Sequence, residues 1–207
     1  MRRRDLTVIK LGGSHAFAPH LARWIAAIAM QRGRIVLVPG GGPFADAVRA
    51  AQLKMGFDDG AAHRMALLAM EQYGCALASG RKRLSLAATR AEIDRAVSLR
   101  QVPVWLPARM VLAAPEIPFS WDVTSDSLAA WLAAKLGAHR LLLVKHDGSA
   151  GSVRARELST RGVVDQAFPL FLRASRIPAI VLGAADHAAV GEIMRGKPGV
   201  GTRIDEG

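Results

Sequence analysis

Lys10 interrupts an apolar run, Val8-Ile9-Lys10-Leu11, directly before Gly12, Gly13 and Ser14. Burying an unpaired ammonium is costly, so a lysine at such a place calls for an anionic partner. Glycines carry no Cβ and let a bound group come close to the backbone. Free backbone N–H groups beside a lysine suit a chain of phosphates. The plainer alternative is a strand that ends in a glycine turn, with Lys10 reaching out to solvent. No P-loop is present, because the G-x-x-x-x-G-K-[ST] spacing does not occur.

Three further features share this character: the loop Gly40, Gly41 and Gly42, the carboxylate of Asp126, and Lys145 after Leu141-Leu142-Leu143-Val144. Phosphoryl transfer needs positioned charge and backbone amides around the transferring group. One glycine loop can cradle each reactant, and the lysines can offset the charge on the equatorial oxygens. The aspartate can hold the lysines in place or help to bind magnesium. Each feature also has an ordinary reading taken singly. The glycines make a tight turn, Asp126 is a first-turn carboxylate at a helix dipole, and Lys145 is a solvated strand end.

The elements that must position these residues alternate. After the first strand, Leu21, Trp24, Ile25 and Ile28 give a helix over Pro19–Arg32, ended by Gly33. Ile35-Val36-Leu37-Val38 reads as a parallel strand covered on both faces. It runs into Pro39-Gly40-Gly41-Gly42-Pro43, and Pro43 suits the first turn of a helix over Phe44–Met55. Asp58 or Asp59 caps a helix over about 61–77. Thr89 and Glu92 have capping-box spacing for a helix through about Leu99. Val102–Leu106 is a strand, 107–120 an irregular connection with a short strand at Met110–Ala113, and Thr124 or Ser125 caps a helix over Asp126–Leu136 that ends at Gly137. Leu141–Val144 is the next strand, and His146–Gly162 reads as a loop or small hairpin. Helices over Gln166–Ala174 and Ala188–Arg195 and strands over Ala179–Leu182 and Val200–Ile204 complete the chain. The expectation is an α/β fold, an open αβα sandwich on a mainly parallel sheet, with both glycine loops at the carboxyl ends of strands where such sheets bind ligands.

At 207 residues and 51% hydrophobic content the chain fits one domain with a proper core. Cys75 is the only cysteine, so no intrachain disulfide forms and a cytoplasmic setting is expected. Arg2, Arg3 and Arg4 resemble the start of a signal peptide, but no apolar core or cleavage site follows. Leu21–Met30 is too short to cross a bilayer, so no membrane partner is expected. The net charge of +11 suits an anionic ligand. Its 28 basic residues are scattered apart from Arg2–Arg4 and Arg81-Lys82-Arg83, and no nucleic-acid-binding motif accompanies them, which makes nucleic acid the weaker partner.

In its motifs the sequence resembles the amino acid kinase family. The carriers are Val8–Ser14, Val38–Gly42, Thr124-Ser125-Asp126-Ser127-Leu128-Ala129 and Gly199-Val200-Gly201-Thr202-Arg203-Ile204. The resemblance implies an ATP-dependent kinase that uses Mg2+. Lys10 would bind the transferring phosphoryl group, Gly12, Gly13 and Ser14 the ATP phosphates, Gly40 to Gly42 the acceptor, and Asp126 would organise the lysines. It also implies that 1–137 is mainly an acceptor lobe and 138–207 a short nucleotide lobe, and that the chain forms a homo-oligomer.

Pro43-Phe44-Ala45-Asp46, His63-Arg64-Met65-Ala66, Ser120–Ser127 and Val164-Asp165-Gln166-Ala167-Phe168-Pro169 are similar to a narrower branch, the small kinases of methanofuran biosynthesis. That similarity implies an acceptor already bearing phosphate, as in aminomethyl-furanmethyl phosphate, with Arg64 as a candidate for holding it. Larger members carry a second catalytic lysine in the nucleotide lobe, whereas this chain has no lysine between His146 and Gly196. Either Lys145 takes that role, or an arginine such as Arg154, Arg156 or Arg161 does, or the protein turns over poorly. The alternatives to an enzyme are a non-catalytic nucleotide- or oxyanion-binding module on the same fold and a basic nucleic-acid-binding protein.

Overall fold

The computed structural model describes residues 6–31, 35–146, 151–197 and 199–205. Arg2–Arg4, the expected helix end at Arg32 and Gly33, and residues 147–150 lie outside them. The central strand β1 (Thr7–Leu11) is buried along its whole length, Lys10 included. It pairs in parallel with β2 (Ile35–Pro39) on one side and β5 (Arg140–Val144) on the other. Beyond β2 lie β4 (Val102–Trp105) and then β3 (Leu84–Ala87). Beyond β5 come β7 (Ala179–Leu182), β8 (Thr202–Asp205) and β6 (Gly151–Arg154). Every pairing is parallel except β7 with β8.

Strand parity decides what each face holds. Side chains alternate across a sheet with period two. On β1, Val8 joins one core cluster and Ile9 and Leu11 the other. On β5, Leu141 and Leu143 fall with Val8, while Leu142 and Val144 fall with Ile9. Lys10 and Lys145 continue the Val8 and Leu143 series, so both are directed to the same face.

That face is covered by α6 (Ser125–Leu136), which is buried over most of its length, with Ala129, Ala130 and Ala133 admitting a close approach to the sheet. Trp131 of α6 stacks on Trp105 of β4 at 6.2 Å. Helix α8 (Phe168–Ser175) packs beside α6. The opposite face is covered by α1 (Leu21–Ala29), α9 (Ala189–Met194) and the apolar side of α3 (Asp59–Ala78), through Trp24, Ile25, Ile28, Leu77 and Ile193. Helix α2 (Gly42–Met55), with Pro43 in its first turn, lies against α3.

Two expected caps are present. Asp58 Oδ1 accepts from Ala61 N at 2.7 Å, and Thr89 Oγ1 accepts from Glu92 N at 3.2 Å at the start of α4 (Arg90–Ser98). Other expectations fail. Residues Ala108–Val111 form a short helix, α5, not a strand, because Pro107 starts the turn and Glu71 Oε1 accepts from Ala108 N at 2.9 Å. The segment read as a loop or hairpin contains β6, which pairs in parallel with β8, followed by α7 (Ala155–Thr160). The edge strand β3 was not expected either. Edge strands leave side chains in solvent, and β6 is exposed along nearly all its length, so neither carries a continuous apolar run.

The carboxyl ends of the three middle strands coincide, since Leu11 lies opposite both Pro39 and Val144. The glycine loops that follow are locked to each other. A Cβ on Gly13 would stand 2.0 Å from Gly42 N, and one on Gly40 would stand 2.3 Å from Gly13 N. These glycines are therefore needed for backbone-to-backbone contact. Gly12 differs: it has extended φ −60° and ψ 145°, and a Cβ there meets nothing closer than 3.4 Å. Gly13→Ala should therefore lose about 1–3 kcal/mol through overpacking against fixed backbone. Gly12→Ala should change stability by less than about 1 kcal/mol. Chemical denaturation of the two variants beside the wild type checks this contrast, and equal losses would contradict it.

Candidate active site

Lys10, Asp126 and Lys145 meet as strand parity requires. Lys10 Nζ lies 2.9 Å from Asp126 Oδ1, and Lys145 Nζ donates to Asp126 Oδ2 at 2.7 Å. Lys10 is 5% exposed and Asp126 4%. Burial by itself would push the Asp126 carboxyl up, but the charges of Lys10 and then Lys145 outweigh it and hold it at about 2. Burial, and then the charge of Lys10, push the Lys145 ammonium down to about 8, against the pull of Asp126. Two cations share Asp126, so these three residues together carry a net positive charge beneath the ends of β1 and β5, and the charge of the nearby Asp165 also favours the Lys145 ammonium.

Asp126 is placed by a residue from a distant part of the chain. Thr124 stands at the N-cap of α6 but its side chain makes no cap bond. Asp165 does so instead. Its Oδ2 accepts from Thr124 N, Thr124 Oγ1 and Ser127 N at 3.0, 2.8 and 3.0 Å, and its Oδ1 accepts from Ser127 Oγ. Burial and then the charge of Asp126 push its carboxyl upward, while the Ser127 and Thr124 donors oppose this. Asp165 sits in a motif quoted above for resemblance alone, and nothing in its local spacing marks it as a cap for residues 38–41 positions earlier.

The turn after β1 is a short 3-10 segment over Gly13–His15. A methyl placed on Gly12 would lie 3.4 Å from Lys10 Nζ and from Ser14 Oγ, so both polar groups lie beside this glycine. His15 ties this turn to β5. Its Nε2 donates to the carbonyl of Val144 at 3.3 Å, since a carbonyl only accepts. Its Nδ1 is then free to accept from His20 Nε2 at 2.8 Å. Burial and then the neighbouring His146 push His15 down to about 4, which keeps this arrangement neutral.

Two clefts open at this edge. One, of about 270 Å³, is lined by Gly41, Gly42, Asp46 and His63 among others. The second, of about 560 Å³, is lined by Lys10, Gly12, Asp126, Lys145 and Asp165 among others. Gly13, Ser14, Arg49, Trp121 and Thr124 line both. Gly40 stays in the loop–loop contact, with its N–H donated to Leu11 O at 2.9 Å. A Cβ on Gly41 would meet Ala45 Cβ at 2.3 Å, so its bareness serves the first turn of α2.

Arg64 is exposed and is not among the residues that line either cleft. The preceding residue on α3, His63, is buried and faces the smaller cleft, stacked on Phe119 at 4.8 Å. One residue turns a helix by about 100°, which is why one of the pair is inside and the other outside. Burial pushes the His63 imidazole down, which favours its neutral form. Arg49 of α2, not singled out from the sequence, is the arginine at the clefts. Among the described residues no group of three or more His, Cys, Asp or Glu is arranged to hold a metal ion, and no helix is long and apolar enough to cross a membrane.

Comparison with known proteins points one way. The model of the amino acid kinase family matches residues 5–148. The [5-(aminomethyl)furan-3-yl]methyl phosphate kinase of Methanocaldococcus jannaschii is 24% identical over 209 residues, covering 95% of this chain and 96% of that protein. Among solved structures, the uridylate kinase of Archaeoglobus fulgidus superposes with a TM-score of 0.72 at 20% identity, over 97% of this chain and 100% of that one. The UMP kinase of Bacillus anthracis gives 0.71 at 18% identity, over 98% and 96%.

The depressed Lys145 ammonium has a consequence for stability. Below about pH 8 both the folded and the unfolded chain hold this proton. Between about 8 and the ordinary value of 10.5 only the unfolded chain does, so stability contributed by this group rises with pH across that window. Lys145→Met removes the term. Denaturant unfolding at several pH values from 7.5 to 10.5 should show the wild type gaining on Lys145→Met as pH rises, and parallel curves would refute the assignment.

Proposed function

The chain belongs to the amino acid kinase family, and from that premise we propose that it moves the γ-phosphoryl group of ATP onto a small acceptor that already carries a phosphate. The observation that carries this is the buried Lys10–Asp126–Lys145 cluster, which lines the larger of two adjoining clefts. Lys10, with Gly12, Gly13 and Ser14, would meet the nucleotide's phosphates in the larger cleft. Gly41 and Gly42, at an α2 N-terminus with no side-chain cap, would offer N–H groups to the acceptor in the smaller one. On this reading residues 1–137 mainly hold the acceptor and 138–207 mainly the nucleotide.

The protonation states bear on the type of acceptor. A hydroxyl acceptor needs a base to take its proton. Of the two carboxylates beside the lysines, Asp126 is a poor base at about 2, and Asp165 already accepts four hydrogen bonds. A phosphate monoester has its second ionisation near pH ~6 and arrives as an oxyanion. Its oxygen forms the new P–O bond, the bond from the γ-phosphorus to the bridging oxygen breaks, and ADP leaves with that electron pair. The product is a diphosphate, and no proton has to move. Neutralising charge is then the main task of the site, and lysines do that. Magnesium fits as a companion of the nucleotide's phosphates, because Mg2+ takes few protein ligands beside them.

The Methanocaldococcus jannaschii relative is named for an acceptor of this class, as are the uridylate kinases. We take [5-(aminomethyl)furan-3-yl]methyl phosphate as the candidate acceptor. A cytoplasmic homo-oligomer belongs to the same reading. Cys75 is free and exposed, as a reducing compartment allows, and Leu53 and Met55 leave apolar surface at the end of α2.

The test is a screen of phosphate monoesters, carboxylates and alcohols with labelled ATP and magnesium. A phosphate monoester should be the productive class, and Lys10→Ala should lower its turnover by about 10² or more with the fold intact. Nucleotide binding without transfer to any acceptor would make the chain a binding module. Turnover of alcohols alone would overturn the oxyanion argument.

A further inference from the structure

Of the five residues shared by the two clefts, only Arg49 is a cation. Its guanidinium carbon lies 4.4 Å from the centre of the Trp121 ring. A guanidinium can stack on an aromatic face and still direct its edge N–H groups to a ligand. Trp121 is itself held. Its indole N–H donates to Gln52 Oε1 at 2.7 Å, and the Gln52 amide donates to Phe57 O at 3.2 Å and Asp59 Oδ1 at 2.9 Å. Arg49 and Gln52 are three residues apart on α2, so one helix face both carries the cation and pins the ring beneath it. The carboxylate near Arg49 is Asp46 Oδ1 at 3.8 Å, and with side chains 51% and 76% exposed that pair is weak. Most of the charge of Arg49 is left for something else.

We propose that Arg49, held over the Trp121 ring, grips the phosphate of the acceptor where the two clefts meet. From there it adds, on the acceptor side, the further positive charge that no lysine between His146 and Gly196 supplies. The assignment rests on the phosphoryl-transfer reading above and deepens it. It replaces Arg64, which faces away from both clefts, as the acceptor's arginine. In the ground state Arg49 pairs with the acceptor's phosphate. As the new P–O bond forms, the same guanidinium lies beside oxygens that belong to both phosphorus atoms, so it contributes to binding and to rate.

The experiment uses the full chain as wild type, Arg49→Met, Arg49→Lys and Trp121→Leu, each checked for folding by circular dichroism. Inorganic phosphate and [5-(aminomethyl)furan-3-yl]methyl phosphate are titrated calorimetrically without ATP, and turnover is followed by ADP release. Arg49→Met should weaken binding of the monoester about tenfold or more, as expected for loss of a charge-assisted contact. It should also lower kcat by about 10-fold or more while ATP affinity changes by less than about threefold. Arg49→Lys should recover little, because an ammonium has neither a planar face to stack nor the parallel N–H pair that grips a phosphate edge. Trp121→Leu should fall between Arg49→Met and wild type. Monoester binding by Arg49→Met within about twofold of wild type would overturn the proposal, as would a wild type that binds neither probe. The two readings separate cleanly. A wild type that binds the monoester through Arg49 yet releases no ADP contradicts transfer and retains the Arg49 assignment, whereas undiminished turnover by Arg49→Met does the reverse.

Discussion

Two ammonium groups and one carboxylate are buried together at the carboxyl end of a parallel sheet, and the rest of the molecule is arranged around that imbalance. A lone buried charge is untenable, and a buried pair is stabilised only with good geometry and satisfied lone pairs. Asp126 meets this by taking one lysine on each oxygen. The surplus positive charge is what makes the place receptive to an anion. The cost is borne by rigid surroundings: the strand that carries Lys10 and the strand that leads into Lys145 are fixed in register by β1–β5 pairing, and the helix that carries the aspartate is buried along most of its length.

Rigidity beside the smaller cleft comes from a different source. The turns after β1 and β2 touch through backbone, with Gly13 against Gly42 and Gly40 against Gly13, so the floor between the two clefts is made of main chain. Backbone cannot change rotamer, and a reaction between two bound anions gains from a boundary of fixed position. At the larger cleft the same end is met by Asp165, which closes the first turn of α6 from the segment before α8. His15 ties the turn after β1 to the end of β5. Each of these contacts joins segments that are far apart in sequence.

Much of this was legible from residue order. A lysine in an apolar strand, a second at another strand end and an aspartate at a helix start belong to a short list of arrangements. Period-two alternation fixes the face of each lysine within its own strand, and the β1–β5 register then brings Lys10 and Lys145 to the same face. The caps at Asp58 and Thr89 and the stop at Gly137 are local events set by residues three or four apart, and local hydrogen-bonding chemistry suffices to read them. The exposed edge strands β3 and β6 and the helix α5 were not legible. Their side chains do not follow a buried periodicity, and neighbours such as Glu71 decide their conformation.

The sequence by itself therefore determined the fold class, the identity of the Lys–Asp–Lys cluster and the need for glycine at two loops, because strand alternation, helix capping and the penalty on a lone buried charge all act within a few residues. Only the tertiary structure decided why Gly13 and Gly40 must be bare, which carboxylate caps α6, and that Arg49 and His63, not Arg64, face the cleft. Those outcomes depend on the rotation of α2 and α3 about their axes and on contacts between segments tens of residues apart. Neither the helix phase relative to a cleft nor a long-range hydrogen bond leaves a mark in local residue spacing.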